Sequence, residues 1–394
     1  MKALLVILDG VGDIGKKTPL STAKKPTMDR LAKEGVTGLL HPLGRGKVPT
    51  SDLAHLALFG YGPEYAPGRG PFEALGADLK LSEGDIALRC NLATVRNGKL
   101  IDRRAGRNVE NAGKIIGAIG DLKIGDVEAK LTHTTQHRCV LVLRGPFLSS
   151  KISDTDPHKT GVPIRKSRPL DKTDQAKKTA KALNAFTKQS FVIGDHPLNK
   201  HRKLPANSVI CRGAGTYMKV PTLREKYGIS AACVAGGALY RGVAKYVGMD
   251  IIHVPGAEAS FDTNLLGKAK AVLQSIKKHD LVFLHIKDTD NAGHDGDFQR
   301  KTQMIEKVDK MLHIILPNLT DTFVILTGDH STPVSLMRHT SDPVPILFHG
   351  PSVTPDDNGK FDELSCQDGG LGHVEGLDVM PRICDFLGKD PTGT

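Results

Sequence analysis

Three short apolar runs in this chain each stop on an acidic residue, and that repeated ending constrains the fold more than any other feature. Lys2–Leu8 ends in Asp9-Gly10, Leu281–Ile286 ends in KDTDNAGHDGD, and Phe323–Leu326 ends in Thr-Gly followed by Asp329 and His330, so that each run discharges an acidic residue into an expected loop. Short β-rich apolar runs of this kind read as strands of a parallel sheet buried on both faces. In open α/β sheets, ligands bind beyond the carboxyl ends of the strands. If the three strands are neighbours, Asp9, Asp290, His294, Asp329, His330 and His339 converge on one patch. Oxygen and nitrogen donors side by side suit a divalent metal. Six donors exceed what one tetrahedral structural zinc needs, and no paired cysteines stand among them, so two metals is the natural count. A Gly-Asp turn with incidental histidines would account for any one run, but not for the same grammar three times.

The outer bounds agree with an enzyme-sized soluble protein. At 394 residues the chain exceeds what one hydrophobic core usually supports, so two domains are expected. Hydrophobic residues at 39% and charged residues at 25% exclude a disordered or fibrous class. Cys90, Cys139, Cys211, Cys233, Cys366 and Cys384 are scattered with no CxxC pair, which points to buried reduced thiols and a cytoplasmic setting. Asp9 interrupts the first apolar run too early for a signal-peptide core, and no run reaches transmembrane length, so no membrane partner is expected. The formal charge of +11 admits a nucleic-acid surface, a cleft for a small anion, or a merely solvated surface. Dispersed lysine pairs, no Trp and only 5% aromatic residues argue against the first.

In chain order, Pro26, Met28, Leu31 and Ala32 read as a short helix stopped at Gly35. In VPTSDLAHLALFGYGP, Thr50, Ser51 and Asp52 are helix N-cap types ahead of the apolar face Leu53, Leu56, Ala57 and Phe59. A serine there serves either as a cap or, beside two metals, as a nucleophile whose attached phosphate the helix end would favour. From Leu79 the texture becomes α+β: two strands about an Asn97-Gly98 turn, an arginine-rich loop, and the amphipathic helix bearing Ala176, Ala180, Leu183 and Phe186. β/α alternation returns after Gly215. The expected division is therefore 1–78 and 217–394 as a metal-binding α/β core, with a mostly parallel sheet flanked by helices, and 79–216 as an inserted substrate-binding domain.

The segments MKALLVILDGVGD, PTSDLAHLALFGY, GRGPFEALGA, DIALRCNLATV, DRRAGR, SDTDPH, HIKDTDNAGHDGD, LTGDHSTP and HTSDPVPIL, in that order, resemble the archaeal-type cofactor-independent phosphoglycerate mutases of the alkaline phosphatase superfamily. The likeness runs nearly end to end. It implies an alkaline-phosphatase-like core and interconversion of 2- and 3-phosphoglycerate, a step of glycolysis and gluconeogenesis, through a phosphoserine and without 2,3-bisphosphoglycerate. By the same resemblance Asp9, Ser51, Asp329 and His330 would hold one metal, and Asp290, His294 and His339 the other, with Ser51 as the nucleophile. His55, Asp102, Arg104, Arg107, Arg212, Lys226 and Arg241 fall at positions similar to the substrate-binding side. Guanidinium groups hold phosphate and carboxylate bidentately, which suits a phosphoglycerate.

Chemistry supplies the reason for an inserted domain. Phosphate-monoester cleavage needs up to roughly 10²¹-fold acceleration, and two cations about 4 Å apart neutralise the attacking and leaving oxygens. A phosphatase would then admit water, whereas a mutase must retain the glycerate, let it turn and return the phosphoryl group. The mixed ligand set favours Mn²⁺, with Co²⁺, Zn²⁺ or Mg²⁺ as alternatives. Two rivals stand beside this reading: a metal-dependent phosphomonoesterase or phosphopentomutase on the same core, and a nucleic-acid-binding protein using the basic charge. The oligomeric state is open from sequence.

Overall fold

The structure is a computed structural model that describes residues 1–392. The chain forms two compact units, one made of Met1–Ala66 with the chain from Val220 onward, the other of Pro67–Lys219.

The first unit is built on an eight-stranded sheet in the order Asp250–Ile251, Ala231–Val234, Leu281–Ile286, Lys2–Leu8, Thr322–Thr327, Val344–His349, Val36–His41, Gly372–Glu375. All pairings are parallel except those of Val344–His349, which runs antiparallel to both neighbours. The three runs with acidic endings are adjacent, with Lys2–Leu8 in the middle. Ile7 lies opposite His285 on one side and Thr327 on the other, so the three strands end level and release Asp9, Lys287 and Gly328 side by side. Ala3 to Leu8 are at most 1% exposed, as a central parallel strand covered on both faces requires. One cover is the helix Phe298–Ile315, whose Met304, Ile305, Val308, Met311, Leu312 and Ile315 recur at helical spacing and join the core of the sheet. Each such side chain stabilises by roughly 1.5–3 kcal/mol relative to exposure. No helix among the described residues is long and apolar enough to cross a membrane.

The second unit is an antiparallel sheet in the order Lys99–Asp102, Ile86–Arg96, Arg138–Arg144, Val127–Thr135, Leu122–Ile124, with Ser208–Thr216 also pairing Ile86–Arg96. Asn97 and Gly98 both have positive φ, 50° and 70°, which a tight hairpin turn needs. The helix Asp174–Gln189 is capped by Thr173, whose Oγ1 accepts from Ala176 N, and it buries Ala180, Leu183 and Phe186 against the sheet. The helix Arg69–Gly76 belongs to this unit because it packs on Ile86–Arg96, at a distance only glycine permits: a Cβ on Gly70 would meet Ala87 O at 1.9 Å.

One expectation is corrected. The segment after Leu281–Ile286 is not a loop, since Asp288–Asp295 forms an α-helix. Its polar composition disfavours a helix locally. Tertiary contacts override that preference: Arg300 Nε donates to Asp288 Oδ2 at 2.8 Å, and Asn291 Nδ2 donates to Ala259 O at 2.9 Å.

Candidate metal centre

Asp9 leaves the central strand and is followed at once by Gly10, whose φ is 60°. A Cβ there would come within 2.6 Å of Thr332 Oγ1 and 2.7 Å of the Asp290 side chain, so only glycine lets the chain pass. Gly10 N donates to Asp329 Oδ1 at 3.0 Å, tying the first strand end to the third. Asp290 and His294 stand four residues apart on the helix Asp288–Asp295 and share one face, with His294 Nε2 3.4 Å from Asp290 Oδ1. Ser51 is the first residue of the helix Ser51–Leu58, and Thr50 takes the N-cap position. Ser51 Oγ lies 3.2 Å from His330 Nε2.

Two groups of ligand atoms result. Asp9, Asp329 and His330 can bring one atom each within 4.8 Å of the others, and so can Asp290, His330 and His339. His330 therefore belongs to both groups, where the resemblance had given it to one. His339 Nε2 is 3.5 Å from the same Asp290 Oδ1 that His294 faces. All six expected donors and Ser51 thus meet at one end of the sheet.

The imidazoles are aimed by their outer nitrogens. Thr332 Oγ1 donates its one proton to Asp290 Oδ1 at 2.7 Å, so His330 Nδ1 must be the donor in its 3.0 Å contact with Thr332 Oγ1. His339 Nδ1 donates to Pro49 O and His294 Nδ1 to Met337 O, each at 3.0 Å. In the neutral tautomers all three Nε2 lone pairs then face carboxylate oxygens, with His330 Nε2 3.3 Å from Asp329 Oδ2 and 3.5 Å from Asp9 Oδ1. Imidazole lone pairs aimed at carboxylate oxygens are an arrangement that a cation, proton or metal, completes. Asp329 Oδ2 states the same need: it is buried and accepts no hydrogen bond.

Electrostatics agree. Burial, and then the charge of Asp9, push the Asp329 carboxyl well above its usual range. Burial works the same way on Asp9 and Asp290, but Lys287, joined by His285 at Asp9 and by His339, His330 and His294 at Asp290, holds both below theirs. Burial pulls His330 down to about 3, so it stays neutral and able to ligate. Burial alone would lower His339 too, yet Asp290 raises it, a proton standing where a metal would.

Sequence reasoning missed several groups. Lys287 Nζ bonds Asp9 Oδ1 at 3.0 Å and also Asp290 Oδ2. His285 Nε2 meets Asp9 Oδ2 at 3.0 Å while its ring stacks on Tyr240 at 3.6 Å. Lys301, fully buried, donates to Gly12 O, Asp13 Oδ2 and Thr332 O, bracing the loops behind Asp9 and His330. The available signal was a lone histidine inside the otherwise apolar LVFLHI. His55, expected on the substrate side, is wholly buried instead. Its Nδ1 donates to Ser51 O at 2.6 Å and lies 3.5 Å from Asp329 Oδ2, boxed by Phe59, Tyr240, Phe283 and His285, so it supports the site from beneath.

Of the other substrate-side candidates, Lys226 Nζ donates to Gly60 O at 2.7 Å above the rings of Tyr61, Tyr65 and Tyr227. Arg241 Nε is buried without a hydrogen-bond partner. In the second unit Asp102 accepts from Arg104 N as a turn residue, and Arg107 adopts a positive φ of 68°. Arg212 stands beside Arg89 across two strands and lies 3.8 Å from Asp156, which Arg103 grips bidentately at 2.9 and 2.7 Å. Arg89 lies 3.7 Å from Glu73, as does Arg69 at 3.5 Å. Four guanidiniums thus share two carboxylates. Burial lowers the Arg89 guanidinium to about 9, and its buried Nε has no partner.

The family model of the Metalloenzyme superfamily matches residues 1–385. A 2,3-bisphosphoglycerate-independent phosphoglycerate mutase of Methanococcus aeolicus is 45% identical, covering 99% of this chain and 98% of its own length. Among solved structures, a Pyrococcus horikoshii protein is 36% identical with a TM-score of 0.85, covering 98% of this chain and 97% of its own. The cofactor-independent phosphoglycerate mutase of Thermoplasma acidophilum is 34% identical with a TM-score of 0.73, covering 98% and 100%.

Proposed function

Because the chain belongs to the Metalloenzyme superfamily and within it to the 2,3-bisphosphoglycerate-independent phosphoglycerate mutases, we propose that its Asp–His cluster holds two divalent metals and that Ser51 carries the phosphoryl group between the hydroxyls of glycerate. The observation that carries this is the set of three imidazoles, each fixed at Nδ1 and aiming Nε2 at a carboxylate oxygen. Asp9, Asp329, His330 and Ser51 would hold one ion, and Asp290, His294 and His339 the other, with His330 within reach of both. Their mixed nitrogen and oxygen donors suit Mn²⁺ better than an all-oxygen Mg²⁺ site. When bound, the two cations offset the charge on the attacking and leaving oxygens.

The chain's own residues perform the transfer. Ser51 Oγ gives up its proton and attacks phosphorus of 3-phosphoglycerate, an O–P bond forms to serine, and the bond to the glycerate oxygen breaks, that oxygen taking up one proton and leaving as a hydroxyl, so that no proton is gained or lost overall. The glycerate turns and its 2-hydroxyl takes the phosphoryl group back. At the first position of its helix, phosphorylated Ser51 faces free backbone N–H groups, which favour an anion. The surplus of guanidiniums around Glu73 and Asp156, Arg212 and Arg89 foremost, supplies recognition of an anionic substrate and makes the second unit the substrate-binding domain. Six buried free cysteines fit a cytoplasmic setting.

The test is mutase activity without added bisphosphoglycerate, before and after chelation, with metals counted per chain. Activity lost on chelation and restored by Mn²⁺ at two ions per chain is the expected result. Full activity with no metal by elemental analysis would end the two-metal reading, and free phosphate as the main product would favour a phosphomonoesterase.

A further inference from the structure

Among the described residues, Lys287 forms an ion pair with a carboxylate from each donor set. It sits between the strand Leu281–Ile286 and the helix Asp288–Asp295, with its side chain 17% exposed. Its Nζ bonds Asp9 Oδ1 from the first set and Asp290 Oδ2 from the second. It takes only the outer oxygen of Asp290, leaving Oδ1 to face His294, His339 and Thr332. A lysine used merely to neutralise a buried carboxylate has no need of two partners on different elements.

The local charge count gives the ammonium a purpose. Asp13 is matched by Lys301 at 3.0 Å, and Asp288 by Arg300, so both cancel away from the donor sets. The donor sets themselves contain three carboxylates, Asp9, Asp290 and Asp329, with neutral imidazoles around them. Two divalent cations against three carboxylates leave a single positive charge. Lys287 raises it to two, equal and opposite to a phosphate monoester dianion.

We propose that Lys287 is the fixed cation of the phosphoryl site: it ties Asp9 to Asp290 at a set spacing and supplies the second positive charge that a dianionic phosphoryl group requires. The proposal rests on the two-metal reading, and it predicts opposite effects on the two ligands. A cation 3.0 Å from Asp9 competes with metal for that carboxylate, so removing it leaves metal binding as strong or stronger. The same removal weakens the binding of a dianion. A residue needed only for packing would weaken both.

The experiment compares the full-length wild type with Lys287→Met and Lys287→Arg. Mn²⁺ is titrated calorimetrically into chelated protein, and radiolabelled inorganic phosphate is then measured on the Mn²⁺-loaded protein by equilibrium dialysis. The expected result for Lys287→Met is two ions per chain at wild-type affinity or tighter, with phosphate affinity at least tenfold weaker; the chelated variant melts lower than the chelated wild type, because Asp9 and Asp290 lose their buried cation, and Mn²⁺ offsets that loss. Lys287→Arg, which keeps the charge, should recover most of the phosphate affinity. Unchanged phosphate affinity in Lys287→Met would overturn the proposal, and so would parallel loss of metal and phosphate. A wild type that binds no Mn²⁺ would instead overturn the two-metal reading itself.

Discussion

His285 Nε2 holds Asp9 Oδ2 at 3.0 Å from the neighbouring strand, two residues out of register with it, since His285 pairs with Ile7. That contact leaves Asp9 Oδ1 to face Lys287 and His330. Outer-sphere partners of this kind are typically worth 10–100-fold in metal affinity. His285→Gln should therefore weaken Mn²⁺ binding by at least tenfold in a calorimetric titration while leaving the far-ultraviolet circular dichroism unchanged. Wild-type affinity in this variant would show that Asp9 needs no such support.

The same histidine gives the metal-free protein a pH dependence. Burial lowers both His285 and His330 to about 3 in the folded protein. The unfolded chain takes up those protons near 6.5. A depressed histidine contributes stability that is full above the unfolded value and is lost as pH falls through 6.5 toward 3. Asp329, raised by burial and by Asp9, acts with the opposite sign. His285→Gln removes one term only. Urea melts of chelated protein between pH 7 and 4 should show a flatter loss of stability in the variant than in the wild type, and parallel curves would contradict the assignment.

Lys301 is a stability prediction. Its ammonium has no exposure and three acceptors, Gly12 O, Asp13 Oδ2 and Thr332 O, at 2.9–3.0 Å. Lys301→Met leaves the buried Asp13 carboxylate without its cation, which costs roughly 3–5 kcal/mol. Chemical denaturation measures that loss directly, and a change below about 1 kcal/mol would mean that Val334 N alone satisfies Asp13.

Substrate recognition is separable from metal binding. Arg212 lies in the second unit, and none of the six metal donors does. Arg212→Gln should raise KM for phosphoglycerate by at least tenfold and leave two ions per chain. Steady-state kinetics with metal analysis on the same sample decides this; an unchanged KM would remove Arg212 from the substrate side.

The sheet and the convergence beyond its strand ends were legible because buried parallel strands are continuous apolar runs, with Asp9 directly after one, Asp329 and His330 just after another, and Asp290 in the helix that follows the third. The supporting residues were not. A lysine just after a strand, such as Lys287, reads as solvated until its two carboxylates are placed in space. Lys301 lies on a helix face whose partners come from residues 12, 13 and 332. The helix Asp288–Asp295 was hidden by its own composition, because the bonds that hold it, from Arg300 to Asp288 and from Asn291 to Ala259 O, are not local propensities. The burial of His55 was hidden for a related reason: four residues after Ser51 it shares the serine's side of the helix, and only the sheet beneath decides that this side is buried.

The central claim is that Ser51 carries the phosphoryl group. Its Oγ points at His330 Nε2 at 3.2 Å, and Thr50, not Ser51, holds the cap position, so capping does not explain the serine. The direct measurement is a rapid quench of Mn²⁺-loaded protein with phosphate-labelled 3-phosphoglycerate and no bisphosphoglycerate, followed by peptide mapping, run alongside Ser51→Ala. Label should appear on Ser51 before 2-phosphoglycerate accumulates, with little free phosphate. Ser51→Ala should still bind two ions and show no mutase activity. Protein that is unlabelled at every quench time, together with a fully active Ser51→Ala variant, would contradict the account.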